Sequence, residues 1–178
     1  MCKNVLIISS SARREGNSDL LCEQFRLGAL EAGHRVEKVR LAELEIGFCR
    51  GCGACDASHR CVQQDDMAAL LDKLLEADVI VLATPVYFYS LCARMKAMLD
   101  RCVPRYEELS HKEFYVILAA AEESREEMQR TVECFRGFFD CLEDAREMGV
   151  IYGTGAWHAG EVRSLPVMQE AFEAGKSC

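Results

Sequence analysis

The sequence encodes an α/β domain, a doubly wound parallel sheet with helices on both faces. Val5 to Ile8 and Val79 to Ala83 are unbroken apolar runs, the pattern of strands covered on both sides. Strand-like and helix-like segments alternate along the chain, as they do when crossover helices join parallel strands. The 178 residues, half of them hydrophobic, suffice for one compact core.

Asn4 to Ser9 is expected as the first strand. Asn17 to Ala32 reads as a helix, because Leu21, Phe25, Gly28, Ala29 and Ala32 share one face; Asn17 or Ser18 can cap it and Gly33 follows its end. Val36 to Leu41 alternates apolar and charged residues, which suits a strand near a sheet edge. Residues 47–64 are irregular. Asp65 or Asp66 can then cap a helix whose inner face carries Met67, Leu70, Leu71, Leu74 and Leu75. Asp78 to Thr84 is the second buried strand, expected to stop at Pro85. A helix from Ser90 to Cys102, a strand from Glu113 to Ala120, a long helix from Glu122 to Leu142 and a strand from Arg146 to Tyr152 follow, with a short helix near Pro166 to Ala174.

Five strands at this length suit the flavodoxin-like order better than a six-stranded dinucleotide-binding sheet. The expectation is a single domain over residues 1–178 with a cysteine-rich insertion at 47–64. Ligands of such sheets bind outside the carboxyl ends of the strands, which points to the loops after residues 9, 84, 120 and 152.

A net charge of −8 argues against a nucleic-acid partner, because phosphate binding needs a basic face. No apolar run is long enough to span a bilayer, and Ser9-Ser10-Ser11 followed by Arg13-Arg14-Glu15 does not continue as a secretory signal. A cytoplasmic location without membrane contact is the expectation. Eleven cysteines, an odd number, fit a disulfide scaffold poorly there. Cys2, Cys22, Cys92, Cys102, Cys134, Cys141 and Cys178 are scattered, and most are expected to be small buried apolar residues.

Two loops can carry a ligand. The first runs from Ser9 to Ser18 and joins a buried strand to a helix. Its hydroxyls, Arg13, Arg14, Gly16 and the helix N-terminus favour an anion, and a terminal phosphate suits it better than a pyrophosphate because it matches neither common glycine fingerprint. The plainer alternative is a polar turn capped by Asn17 or Ser18. The second loop, Thr84-Pro85-Val86-Tyr87-Phe88-Tyr89-Ser90, sets three aromatics at a strand's carboxyl end, where they could pack on a flat ring or simply cover the core. His34, His111 and His158 stand in no motif.

Cys49, Cys52, Cys55 and Cys61 fall within one short stretch at x2, x2 and x5 spacing. Thiolates so spaced wind round a compact centre as in iron–sulfur loops, with Gly51 and Gly53 allowing close backbone approach. Zinc sites more often use two separated C-x2-C pairs, and there is no second pair. Free surface thiols acting as a redox switch are the alternative.

Together these loops resemble the NADPH-dependent FMN reductase family, in particular its iron–sulfur flavoprotein branch. Ser11, Arg13, Gly16, Asn17 and Ser18 match the family's G-S-P-R-x-x-G-N-[ST] loop, with Ser10 and Ala12 in place of its Gly and Pro. Pro85-Val86-Tyr87-Phe88 is similar to its P-x-Y-[FW] turn, and Lys96 to Arg101 to its K-x-x-x-D-R. The cysteines followed by Asp65-Asp66-Met67 match the branch. Ala119-Ala120-Ala121-Glu122-Glu123 departs from the family, which often has glycines there.

The resemblance implies FMN, with its phosphate on Ser9, Ser11, Arg13, Asn17 and Ser18 and its ring against Pro85, Val86, Tyr87 and Phe88. It implies NAD(P)H as a transient hydride donor and a small-molecule or redox-protein acceptor. A [4Fe-4S] cluster on Cys49, Cys52, Cys55 and Cys61, and a homodimer or higher homo-oligomer, belong to the same implication. No side chain need act as a nucleophile. The competing readings are a flavin or thiol electron-transfer or redox-sensing protein without turnover, and a zinc-stabilised α/β binding module.

Overall fold

The structure, a computed structural model, describes all 178 residues. In chain order it contains β1 (Asn4–Ser9), α1 (Asn17–Glu31), β2 (Arg35–Arg40), α2 (Cys55–Ser58), α3 (Met67–Glu76), β3 (Val79–Tyr87), β4 (Ser90–Leu91), α4 (Ala93–Asp100), β5 (Glu113–Ala119), α5 (Gln129–Phe139), β6 (Arg146–Gly153) and α6 (Val167–Ser177). Five strands pair in parallel in the order β2-β1-β3-β5-β6, the flavodoxin-like order, and β4 adds a short antiparallel rung to the end of β3.

Alternation along each strand divides the core in two. Leu6 and Ile8 of β1, Ile80 and Leu82 of β3, and Val116 and Leu118 of β5 face α3, α4 and α5. Val5 and Ile7, Val79 and Val81, and Tyr115 and Ile117 face α1 and α6. Burial on both faces is why the central strands read as continuous apolar runs. The edge strand β2 keeps Arg35, Glu37, Lys38 and Arg40, charges that protect an exposed edge from pairing.

Three expected boundaries move. β3 does not stop at Pro85 but continues to Tyr87, with Pro85 in register with Ala119 of β5. Ala83 accepts from Ser10 N on the β1 side, and by alternation Pro85 faces that side too, beyond the β1–β3 ladder; its missing N–H therefore removes no ladder bond. The turn comes instead at Phe88-Tyr89, and because Ser90-Leu91 folds back as β4, the next helix begins at Ala93 rather than Ser90. The long helix expected over Glu122 to Leu142 is α5 alone, preceded by a 3-10 turn at Glu126–Met128. Its apolar stripe of Met128, Val132, Phe135 and Phe139 starts late, and the acidic residues before it have no face to bury. Within residues 47–64, expected to be irregular, Cys55–Ser58 forms the single turn α2.

Candidate functional site

The carboxyl ends of β1, β3, β5 and β6 surround a cavity of ≈ 250 Å³. Ser11, Arg13, Gly16, Asn17 and Ser18 form one wall, Pro85, Val86 and Tyr87 another, and Ala119 to Ala121 with Ala156 to His158 complete it. These are the four loops to which the strand topology pointed.

The wall from the first loop presents donors suited to an anion. The first helical hydrogen bond of α1 is Leu20 N to Gly16 O at 2.9 Å, so the N–H groups of Asn17, Ser18 and Asp19 precede the ladder. Gly16, not Asn17 or Ser18, occupies the N-cap, and no side chain caps the helix. The Ser18 hydroxyl is buried and has no hydrogen-bond partner. An unsatisfied buried hydroxyl is costly unless a ligand completes it. Arg14 pairs with Glu43 at 3.0 Å, whereas Arg13 makes no ion pair and borders the cavity. A Cβ on Gly16 would lie 2.5 Å from Ser11 Oγ, so a larger residue there would displace that hydroxyl from its bond to Arg13 O.

Beneath the turn, Ser9 and Asp19 serve the scaffold. Ser9 Oγ donates to Asp19 Oδ1 at 2.7 Å, and Lys38 and Arg40 reach the same oxygen at 3.0 and 3.5 Å. Burial opposes ionisation of Asp19, but Ser9, Lys38 and Arg40 together hold it below the usual carboxylate range. Asn17 spends its side chain on the loop after β6. Its Nδ2 donates to the carbonyls of Ala156 and His158, and its Oδ1 accepts from Gly160 N at 2.9 Å.

The hairpin distributes its aromatics unequally. Tyr87 borders the cavity. Phe88 and Tyr89 form the two-residue turn, both with positive φ (49° and 59°), and Phe88 is fully exposed. Tyr89 turns toward α5, donating its hydroxyl to Glu122 at 3.1 Å beneath the Arg130 guanidinium.

Cys49 and Cys52 are exposed and Cys55 and Cys61 half-buried, all as free thiols. They do not converge, for nowhere in the protein do three His, Cys, Asp or Glu side chains form a group able to hold a metal. Of the scattered cysteines, Cys22, Cys92, Cys102 and Cys178 are buried, and Cys2, Cys134 and Cys141 are exposed. Burial pushes the Cys22 and Cys102 thiols up to about 12, which leaves them inert.

The largest cavity, ≈ 940 Å³, lies elsewhere, between residues 58–65, α3 and the Val103–Glu108 turn. Its charges mostly satisfy one another: Arg101 binds Asp65 through two bonds of 2.7 and 2.9 Å, and Arg105 binds Asp72 at 2.7 Å. Arg101 also donates to Gly47 O at 2.8 Å and so ties the start of the cysteine loop to the end of α4. Size alone does not make this the site. The smaller cavity gathers the free helix donors, the buried Ser18 hydroxyl and an unpaired arginine.

That arrangement agrees with what the chain as a whole resembles. The model of the family described as NADPH-dependent FMN reductase matches residues 3–158. The chain belongs to this family. Among members and relatives, an iron–sulfur flavoprotein of Archaeoglobus fulgidus is 38% identical over 97 residues, 54% of this chain and 44% of that protein. One from Methanocaldococcus jannaschii is 39% identical over 100 residues, 56% of this chain and 52% of its own length. The matches thus span about half the length of these curated relatives. The NAD(P)H:quinone oxidoreductase from Methanothermobacter marburgensis superposes with a TM-score of 0.73 over 99% of this chain and 97% of that one, at 17% identity, a likeness of fold. No helix is long and apolar enough to cross a membrane.

Ala156, Trp157 and His158 carry no recognisable motif. Only the rule that ligands sit beyond the strand ends points at their loop, and it does not single them out.

Proposed function

We propose that the protein is an FMN-dependent oxidoreductase that takes a hydride from NAD(P)H and passes electrons to a small-molecule or redox-protein acceptor. The observation that carries this reading is the buried, unpartnered Ser18 hydroxyl beside the free N–H groups of α1. A terminal phosphate completes both, and Arg13 neutralises it. Bound FMN supplies the hydride-accepting chemistry. The protein's own part is to hold the phosphate on Arg13, Ser18 and the free N–H groups of α1, beside Ser11 whose hydroxyl donates to Arg13 O at 2.8 Å, to leave room with the small side chains of Ala119, Ala120 and Ala121, and to border the ring with Pro85, Val86 and Tyr87. Asn17 contributes its N–H to the phosphate wall, its side chain being committed to the neighbouring loop.

The four clustered cysteines have the donor chemistry of a [4Fe-4S] loop, and relatives are named iron–sulfur flavoproteins, but the present geometry of these cysteines does not fit a cluster. A cluster would require residues 47–64 to close until the four sulfurs meet. Iron and sulfide analysis of anaerobically purified protein decides this independently of the flavin. A homodimer is part of the same proposal, and analytical ultracentrifugation reads it.

The free thiols favour a second reading, a flavin or thiol redox carrier without turnover. The test for both is one experiment. Apo-protein is titrated with FMN by flavin fluorescence, and the complex is then given NADPH or NADH and an artificial acceptor. Tight binding with sustained NAD(P)H consumption is the expected result. Binding without turnover would favour the carrier, and failure to take up FMN would sink the oxidoreductase and the flavin carrier, leaving only a thiol carrier.

A further inference from the structure

Trp157 is the chain's only tryptophan, and it stands 72% exposed on the rim of the candidate FMN cavity. Its indole stacks on no ring of the protein. The backbone on either side of it is nevertheless held from several directions. Asn17 Nδ2 donates to Ala156 O at 3.1 Å and to His158 O at 2.8 Å, gripping the residues that flank Trp157. Ala156 N donates to Ala120 O at 2.8 Å and Gly155 N to Glu122 O at 2.7 Å. Gly155 and Gly160, with φ of +65° and +88°, bend the chain before and after the segment.

Exposed loop residues are usually free to move, and a large aromatic gains nothing from water. Here the Asn17 amide, with the backbone bonds of Gly155 and Ala156, fixes the backbone that carries an indole with no partner of its own. A flat, electron-rich face carried on a fixed backbone beside a cavity matches a planar heterocycle in offset stacking. A backbone already held in place also lowers the entropy lost when that ring binds.

We infer that Trp157 forms an aromatic wall against which bound flavin packs, and that Asn17 is the positioning residue that holds this wall in place. The inference rests on reading the cavity as an FMN site.

Two measurements test it. The first is the FMN dissociation constant of wild type, Trp157→Ala and Trp157→Phe, each shown by circular dichroism to be folded. Loss of the aromatic face should weaken binding about tenfold in the alanine variant, while phenylalanine retains most of it. The second is the time-resolved anisotropy of Trp157 emission in apo-protein. Wild type should show only overall tumbling, and Asn17→Ala should add a fast local component. Unchanged FMN affinity in Trp157→Ala, or fast local motion already present in wild type, would overturn the inference while leaving the FMN site intact. A wild type that binds no flavin would overturn the site reading and this inference with it.

Discussion

Single residues divide into those that serve the fold and those left for a ligand. Ser9 and Ser18 are both buried serines near the start of α1, but Ser9 is bonded to Asp19 and Ser18 to nothing. Their substitution should therefore differ. Ser18→Ala removes an unsatisfied hydroxyl, so apo stability should hold or rise slightly while FMN affinity falls about tenfold; a urea titration beside an FMN titration reads both. Arg101 is the largest fully buried side chain, and Asp65 is its only ionic partner. Asp65→Asn strands that guanidinium, and a loss of about 3 kcal/mol in chemical denaturation is expected. The sequence offered the aspartate as a helix cap and as part of the Asp65-Asp66-Met67 motif, not as the partner of Arg101. Its bidentate bond to Arg101 joins residues 36 positions apart, and local pattern carries no information about such a contact.

At the scale of elements, helix packing turns on two glycines that look alike with others in the sequence. Gly28 of α1 and Gly175 of α6 let the helices touch: a Cβ on Gly28 would lie 1.9 Å from Phe172 O, and one on Gly175 2.0 Å from Phe25 O. Gly137 in α5 meets nothing within 4 Å. Helix propensity favours alanine by about 1 kcal/mol at either position. Overpacking reverses the sign at Gly28, where Gly28→Ala should destabilise by about 2 kcal/mol. Gly137→Ala should stabilise by up to about 1 kcal/mol. Opposite shifts in the denaturation midpoint are the result to look for. The β3–β4 hairpin teaches the same lesson about position. Proline stops a strand that needs its N–H, and Pro85 lies where the neighbouring strand has already ended.

For the whole molecule, two carboxylates couple stability to pH. Arg101 beside Asp65 holds that carboxyl at about 2, and Asp19, although buried, is held low by Ser9, Lys38 and Arg40. Both bind a proton less readily folded than unfolded. Their stabilisation is therefore complete above the unfolded value of about 4 and fades as pH drops through the folded values. Denaturation midpoints of wild type and Asp65→Asn should converge as pH is lowered from about 4 toward 2, and a gap that persisted there would contradict the assignment.

The amino-acid sequence by itself determined the class of sheet, the approximate span of each buried strand and the polar turn between β1 and α1 that borders the cavity. These depend on apolar periodicity and local turn chemistry, which are written in consecutive residues. Only the tertiary structure decided where β3 turns, that Ser9 and the Asn17 side chain are bonded to the scaffold, and that Phe88 and Tyr89 do not border the cavity. It alone brought Trp157 to the cavity rim, because that placement depends on hydrogen bonds spanning 139 and 141 positions of the chain, from Asn17 to Ala156 and His158. Contacts that distant are settled by how the sheet stacks its strand ends, and no local pattern encodes them.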